Sequence, residues 1–141
     1  LITWEEAGAV MRGRWRYWDE KIGSGPPPIR VAEGWLHLYH GVATHLGTGL
    51  YQAGAVLLDA EDPTRVLART TRNLLEPREL SETVGQVPNV VFPGGWVVDG
   101  VTSGEIAAPD ARVRVYYGGA DTVVALAETT VDDLLRACRE D

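Results

Sequence analysis

The chain has 141 residues, 45% of them hydrophobic, enough for one globular core and too few for two comfortable ones. Its 13 Lys+Arg stand against 20 Asp+Glu, a formal charge of -7, and the basic residues are scattered, so nucleic acid and anionic membrane are not expected partners. Cys138 is the single cysteine, which excludes an intrachain disulfide and a multi-cysteine zinc site and fits a cytoplasmic setting. No apolar run approaches the roughly 18 residues of a membrane span.

The sequence opens at Leu1 rather than Met, and an upstream portion is expected. Leu1-Ile2-Thr3-Trp4 has the residue types of a strand tail. Residues 12–20 alternate basic and aromatic side chains, a pattern that in isolation suits base stacking. The acidic total favours the plainer reading, tryptophans packed on the outside of a sheet. Residues 21–28 then read as a stiff loop, because Gly23 and Gly25 loosen the backbone and Pro26, Pro27 and Pro28 remove amide donors. Gly34-Trp35-Leu36-His37-Leu38-Tyr39-His40-Gly41 suits a buried strand delivered by a tight turn.

Residues 51–59 form a second strand after the Leu46-Gly47-Thr48-Gly49-Leu50 connection. Glu61-Asp62-Pro63-Thr64 makes a turn, and residues 65–70 make a third, more exposed strand. Residues 78–82 read as a polar link. A second unit runs from residue 87 to 98, crosses a Gly/Ser/Pro-bearing loop over residues 99–110, and continues in strands over 113–121 and 122–127. Thr130 with Asp133 three residues on resembles a capping box opening a short C-terminal helix.

The two units loosely repeat. Gly34-Trp35 corresponds to Gly95-Trp96, Tyr39-His40-Gly41 to Tyr117-Gly118-Gly119, and residues 55–58 to 124–127. Short glycine-punctuated strands in blocks of about four indicate propeller blades, at roughly 40–50 residues each. The length then supplies about three blades, while a closed ring needs about four or more. The fold expected is all-β, a partial propeller completed either by a second copy or by an N-terminal half.

Candidate chemistry is concentrated near the first unit. His37 and His40 fall on opposite faces of one strand, so a shared metal is not expected. Lys21, at the mouth of the loop, and His40, at the end of the following strand, are placed to converge. Gly-x-Ser-x-Gly and P-loop motifs are absent, and Gly23-Ser24-Gly25 leads into prolines rather than a helix, so it is no dinucleotide fingerprint.

Four blocks in order, Lys21-Ile-Gly-Ser-Gly-Pro-Pro-Pro-Ile, Gly34-Trp-Leu with Tyr39-His40-Gly41-Val42, Asn89-Val-Val-Phe92-Pro93, and Tyr116-Tyr117-Gly118-Gly119-Ala120-Asp121-Thr122, resemble the C-terminal half of glycoside hydrolase family 130. That family comprises β-mannoside phosphorylases and β-mannosidases built on a five-bladed β-propeller. The resemblance implies that inorganic phosphate, a co-substrate rather than a cofactor, attacks the anomeric carbon of a β-mannoside with inversion to give mannose 1-phosphate. One aspartic acid assists the leaving group through a sugar hydroxyl. Phosphate is itself the nucleophile, so no carboxylate base is required, and the protein must supply a cationic, hydrogen-bonding cradle.

By motif, Lys21, His40 and Tyr51 match phosphate ligands, Phe92 an aromatic on the acceptor-sugar side, and Asp121 an acid that holds the mannosyl unit. Mannosidases of the family lack the phosphate-ligand pattern, so keeping Lys21, His40 and Tyr51 favours the phosphorylase branch. The general acid and the phosphate-binding arginines of the family belong to its N-terminal half, which this chain does not contain. The loop over residues 99–110 is longer than the family's usual hairpin. The rival readings are a non-catalytic sugar-binding or self-assembling half-propeller, and a β-mannosidase in which water replaces phosphate.

Overall fold

The computed structural model describes residues 3–47, 49–102 and 104–140. Eight strands and two α-helices follow one another as β1 (Lys21–Ser24), β2 (Ile29–Val31), β3 (Gly34–Ala43), β4 (Leu50–Asp59), β5 (Val66–Arg69), α1 (Leu80–Thr83), β6 (Val91–Val98), β7 (Arg112–Gly119), β8 (Val123–Thr130) and α2 (Val131–Arg139), with a 3-10 turn at Thr44–Leu46. They form two antiparallel sheets, the first ordered β1-β3-β4-β5 with β2 also on β3, the second β6-β7-β8.

Residues 21–28 are not simply a loop. Lys21–Ser24 pairs with Tyr39–Val42, and Ile29–Val31 pairs with Gly34–Leu36, so β1 and β2 are two pieces of one edge strand broken by the prolines. The break falls on an edge, where a missing amide hydrogen leaves no ladder bond unmade. Strand β3 at the centre alternates strictly. Leu36, Leu38, His40 and Val42 lie on one face and Trp35, His37, Tyr39 and Gly41 on the other, because successive side chains of a strand point to opposite sides.

Leu36 and Leu38 join Ala55 and Leu57 of β4, Val113 and Val115 of β7, and Val131, Leu134, Leu135 and Cys138 of α2 in the main core. The helical positions recur at a spacing of three and four, the stripe that presents one face of a helix to a sheet. Thr130 caps α2 as expected, its hydroxyl accepting the amide hydrogen of Asp133 at 3.1 Å. On the other side of the first sheet Tyr39, Val56 and Leu58 pack against Met11, Trp18, Ile22 and Trp35.

Several expectations are corrected. The strand tail at Leu1–Trp4 lies outside the described residues at its first two positions, and Thr3 and Trp4 carry no strand. Thr48, in the expected β3–β4 connection, also lies outside them. Residues 78–82 hold a helical turn, α1, because Glu79 and Glu82 exchange side-chain and backbone hydrogen bonds in a capping box. Trp35 and Trp96 are not equivalent, since Trp35 begins the second strand of its sheet and Trp96 lies late in the first strand of the other. The described residues form two sheets where length suggested about three blades, because residues 3–20 and the 99–112 connection carry no strand before Arg112.

Candidate active site

Lys21 opens β1 opposite Val42, and Tyr51, the second residue of β4, lies opposite the same Val42. One row further along, Gly23 and Ala53 flank His40. Lys21, His40 and Tyr51 therefore share a face of the first sheet, and that face is turned toward the second sheet. Phe92 arrives from β6, whose approach is fixed where Tyr51 and Val90 form a parallel bridge and the Tyr51 amide donates to the Asn89 carbonyl at 3.1 Å.

The His40 ring is held between two aromatics, 4.5 Å from the Phe92 centroid and 5.9 Å from that of Tyr51. Beneath it the missing side chain of Gly23 is a steric requirement. A Cβ there stands 2.2 Å from His40 Cε1 and 2.4 Å from Nε2. Burial, followed by the positive charge of Lys21, pushes the imidazole below its ordinary range, so it is neutral near pH 7. A hydrogen bond with the Ser24 backbone opposes that shift, while among the described residues His40 Nδ1 is buried with no hydrogen-bond partner.

Asp121 lies in the β7–β8 hairpin turn. Ala120 and Asp121 have φ of 46° and 51°, and the Thr122 amide donates to the Gly119 carbonyl at 3.0 Å, the geometry of a primed turn made without glycine at its two central positions. The surroundings enforce it. The Ala120 amide donates to the Val90 carbonyl, the Val87 amide to the Ala120 carbonyl, and the Gln86 amide to Thr122 Oγ1. Tyr117, its hydroxyl pushed up to about 12 chiefly by burial, donates to Glu82 Oε1 at 2.6 Å and ties β7 to α1. Non-glycine residues kept in the left-handed region by their neighbours concentrate at functional sites. The structure thus gathers Lys21, His40, Tyr51 and Phe92. It sets Asp121 at the adjoining turn, two residues past Gly119, which pairs with Val91.

His37 falls on the opposite face from His40, as expected, with Ser24 Oγ 3.1 Å from its Nε2, and among the described residues no His/Cys/Asp/Glu group is arranged to hold a metal. Trp18 packs on the sheet, over Gly41 and Gly54 and stacked on Tyr39, whereas Trp15 is 84% exposed. Two supports of the site went unread in the sequence. Gly23 passed as a loop glycine, although its place two residues after Lys21 fixes its register with His40. Asp19 follows a basic and aromatic run with no local sign of burial, although it is fully buried.

The model of glycoside hydrolase family 130, described as beta-1,4-mannooligosaccharide phosphorylase, matches residues 1–140. The chain is 43% identical over 94% of its length to a "Beta-1,4-mannooligosaccharide phosphorylase" of Ruminococcus albus, covering 37% of that protein. It is 36% identical over 95% of its length to a "1,2-beta-oligomannan phosphorylase" of a Thermoanaerobacter species, covering 41% of it. Among solved structures it superposes on a beta-1,2-mannobiose phosphorylase from Listeria innocua, in complex with beta-1,2-mannobiose, with a TM-score of 0.76 at 35% identity, covering 91% of this chain and 33% of the other. The two sheets are accordingly part of a propeller, and the chain spans well under half the length of the relatives it matches. On the match of the family model over nearly its whole length, the chain belongs to glycoside hydrolase family 130.

Proposed function

We propose that this chain carries the phosphate-binding side and part of the mannosyl-binding side of a β-mannoside phosphorylase, which transfers the mannosyl unit of a β-mannoside to inorganic phosphate with inversion. The carrying observation is the clustering of Lys21 and Tyr51 around a neutral His40 that is clamped between aromatic rings. Lys21 supplies a cation for the phosphate oxygens, and His40 and the Tyr51 hydroxyl supply oriented hydrogen bonds. A donor held in place before phosphate arrives needs no reorganisation as charge moves during attack. Phe92, at 38% exposure, offers a ring face to an acceptor sugar, and Asp121 offers a carboxylate to mannosyl hydroxyls.

The acid that assists the departing sugar oxygen comes from outside the chain, in the remaining portion of the propeller. The outward face of the second sheet supports the need for further blades. Val97, Tyr116, Val124 and Leu126 are 47%, 40%, 80% and 50% exposed there, an apolar surface suited to burial against another sheet.

Calorimetric titration of this chain with phosphate and with mannose 1-phosphate, repeated on Lys21→Ala, tests the proposal. Saturable binding that the substitution abolishes is the expected result. Binding that survives in Lys21→Ala overturns the assignment of Lys21. Turnover of a β-mannoside by the completed protein in phosphate-free buffer points instead to hydrolysis.

A further inference from the structure

The site's face of the first sheet is mirrored by a charged cluster on its back. Asp19 is fully buried, and its carboxylate accepts from Arg14 Nε and Nη2, both at 2.8 Å, from Arg69 Nη2 at 2.5 Å and from the Tyr39 hydroxyl at 2.9 Å. Arg69 Nε donates to the same Tyr39 hydroxyl at 3.1 Å, and Arg69 Nη1 reaches the Arg12 carbonyl at 2.8 Å. The cluster therefore joins the segment before β1 to β3 and β5. Its two ends stand next to the candidate site: Asp19 is two residues before Lys21, and Tyr39 is one residue before His40.

The intervening residue grips the other side. Glu20 Oε2 accepts from Thr44 Oγ1 at 2.7 Å and from the His45 amide at 3.2 Å, in the 3-10 turn that follows β3. Trp18 completes the clamp, stacked on Tyr39 and donating from Nε1 to the Thr71 carbonyl at 2.9 Å. Burying one carboxylate costs several kcal/mol unless it is paired and fully hydrogen-bonded. Here its two oxygens receive four hydrogen bonds from three side chains. The arrangement is denser than anchorage of an exposed edge strand requires, since the paired backbone of β1 supplies four ladder positions already.

We infer that Asp19 is a positioning residue, which holds Lys21 and His40 in one frame through the Arg14, Arg69 and Tyr39 side chains. The inference rests on the proposed reading of Lys21 and His40 as partners in one anion site. Asp19 touches neither phosphate nor sugar. Its carboxylate fixes where β1 starts, and the hydroxyl it holds fixes the strand one residue from His40.

The test follows the titration of the His40 ring by NMR in the intact chain and in Asp19→Asn, without added ligand. Removing the anion while the frame stays intact leaves the His40 midpoint in place or lowers it, because a net positive cluster remains behind the sheet. Freeing Lys21 from the His40 face raises it, so the sign separates the two cases. The expected result is an upward shift together with changed Lys21 side-chain resonances. A folded Asp19→Asn chain whose His40 midpoint does not rise overturns the inference. Tyr39→Phe removes the hydroxyl that Asp19 holds and leaves the charge of the cluster unchanged, so it gives the same readout in the same direction if Asp19→Asn does not fold. Leu134→Ala, in the core around α2, lowers the melting temperature and leaves the His40 midpoint where it was. Failure of the wild-type chain to bind phosphate counts against the phosphate reading alone, since the titration reads the frame with no ligand present.

Discussion

The ring of His40 on β3 and the ring of Phe92 on β6 lie 4.5 Å apart at an interplanar angle of 34°, one from each sheet, so the seam between the sheets runs through the candidate site. A tilted aromatic pair of this kind contributes about 1 kcal/mol beyond the area it buries. Phe92→Ala, which also loses the part-buried area of the ring, is expected to lower unfolding free energy by more than that amount in urea titrations, and to restore rotational averaging to the His40 ring in NMR relaxation.

Gly23→Ala is a sharper probe. The added methyl would stand 2.2 Å from His40 Cε1, so the ring must shift against its neighbours Tyr51 and Phe92. Overpacking of this kind costs about 1–3 kcal/mol. Phosphate affinity is expected to fall at least about tenfold, the equivalent of one lost charge-assisted hydrogen bond. Unchanged affinity measured by calorimetry would remove His40 from the phosphate contacts.

Stability should depend on pH through the two strand histidines. Burial holds both His37 and His40 below the usual imidazole range, and the Lys21 charge adds to the effect at His40. As pH falls through about 6.5 the unfolded chain takes up protons on these rings before the folded chain does, so the unfolded state binds more protons and stability drops. Above that pH both states hold neutral rings and the contribution is flat. Urea unfolding between pH 8 and pH 5.5, above the window in which the carboxylates titrate, should show this fall, and His40→Gln together with His37→Gln should flatten it.

Thr130→Ala removes the hydroxyl that accepts the Asp133 amide at the start of α2. A loss of about 1 kcal/mol is expected. Because Val131, Leu134, Leu135 and Cys138 all pack into the main core, the loss should appear in global thermal unfolding rather than as fraying of the helix alone.

Much of this was legible in the residues. The period of two in Leu36-His37-Leu38-Tyr39-His40 separates the histidines onto two faces, and Thr130 with Asp133 marks the start of α2. What escaped depended on partners distant in sequence. Lys21–Ser24 reads as loop because Gly23, Gly25 and the prolines dominate local preference, yet β3 supplies the ladder that makes it a strand. Glu79 and Glu82 form a capping box with glutamate where serine or threonine is the usual signal. Asp19 is separated from Arg69 by 50 residues, and nothing in the run around it marks it as buried.

The rims of the two sheets differ in how they meet other chains. Where β1 gives way to β2, Pro26, Pro27 and Pro28 offer no amide hydrogens, so a foreign strand finds no continuous row of donors to zip against. Strand β8 ends the second sheet among the described residues with Val123, Val124 and Leu126 exposed and no proline within it. Crowding in concentrated solution should therefore start from β8, and a lysine placed at residue 124 would act there as a gatekeeper against fibrous association while leaving the phosphate side untouched.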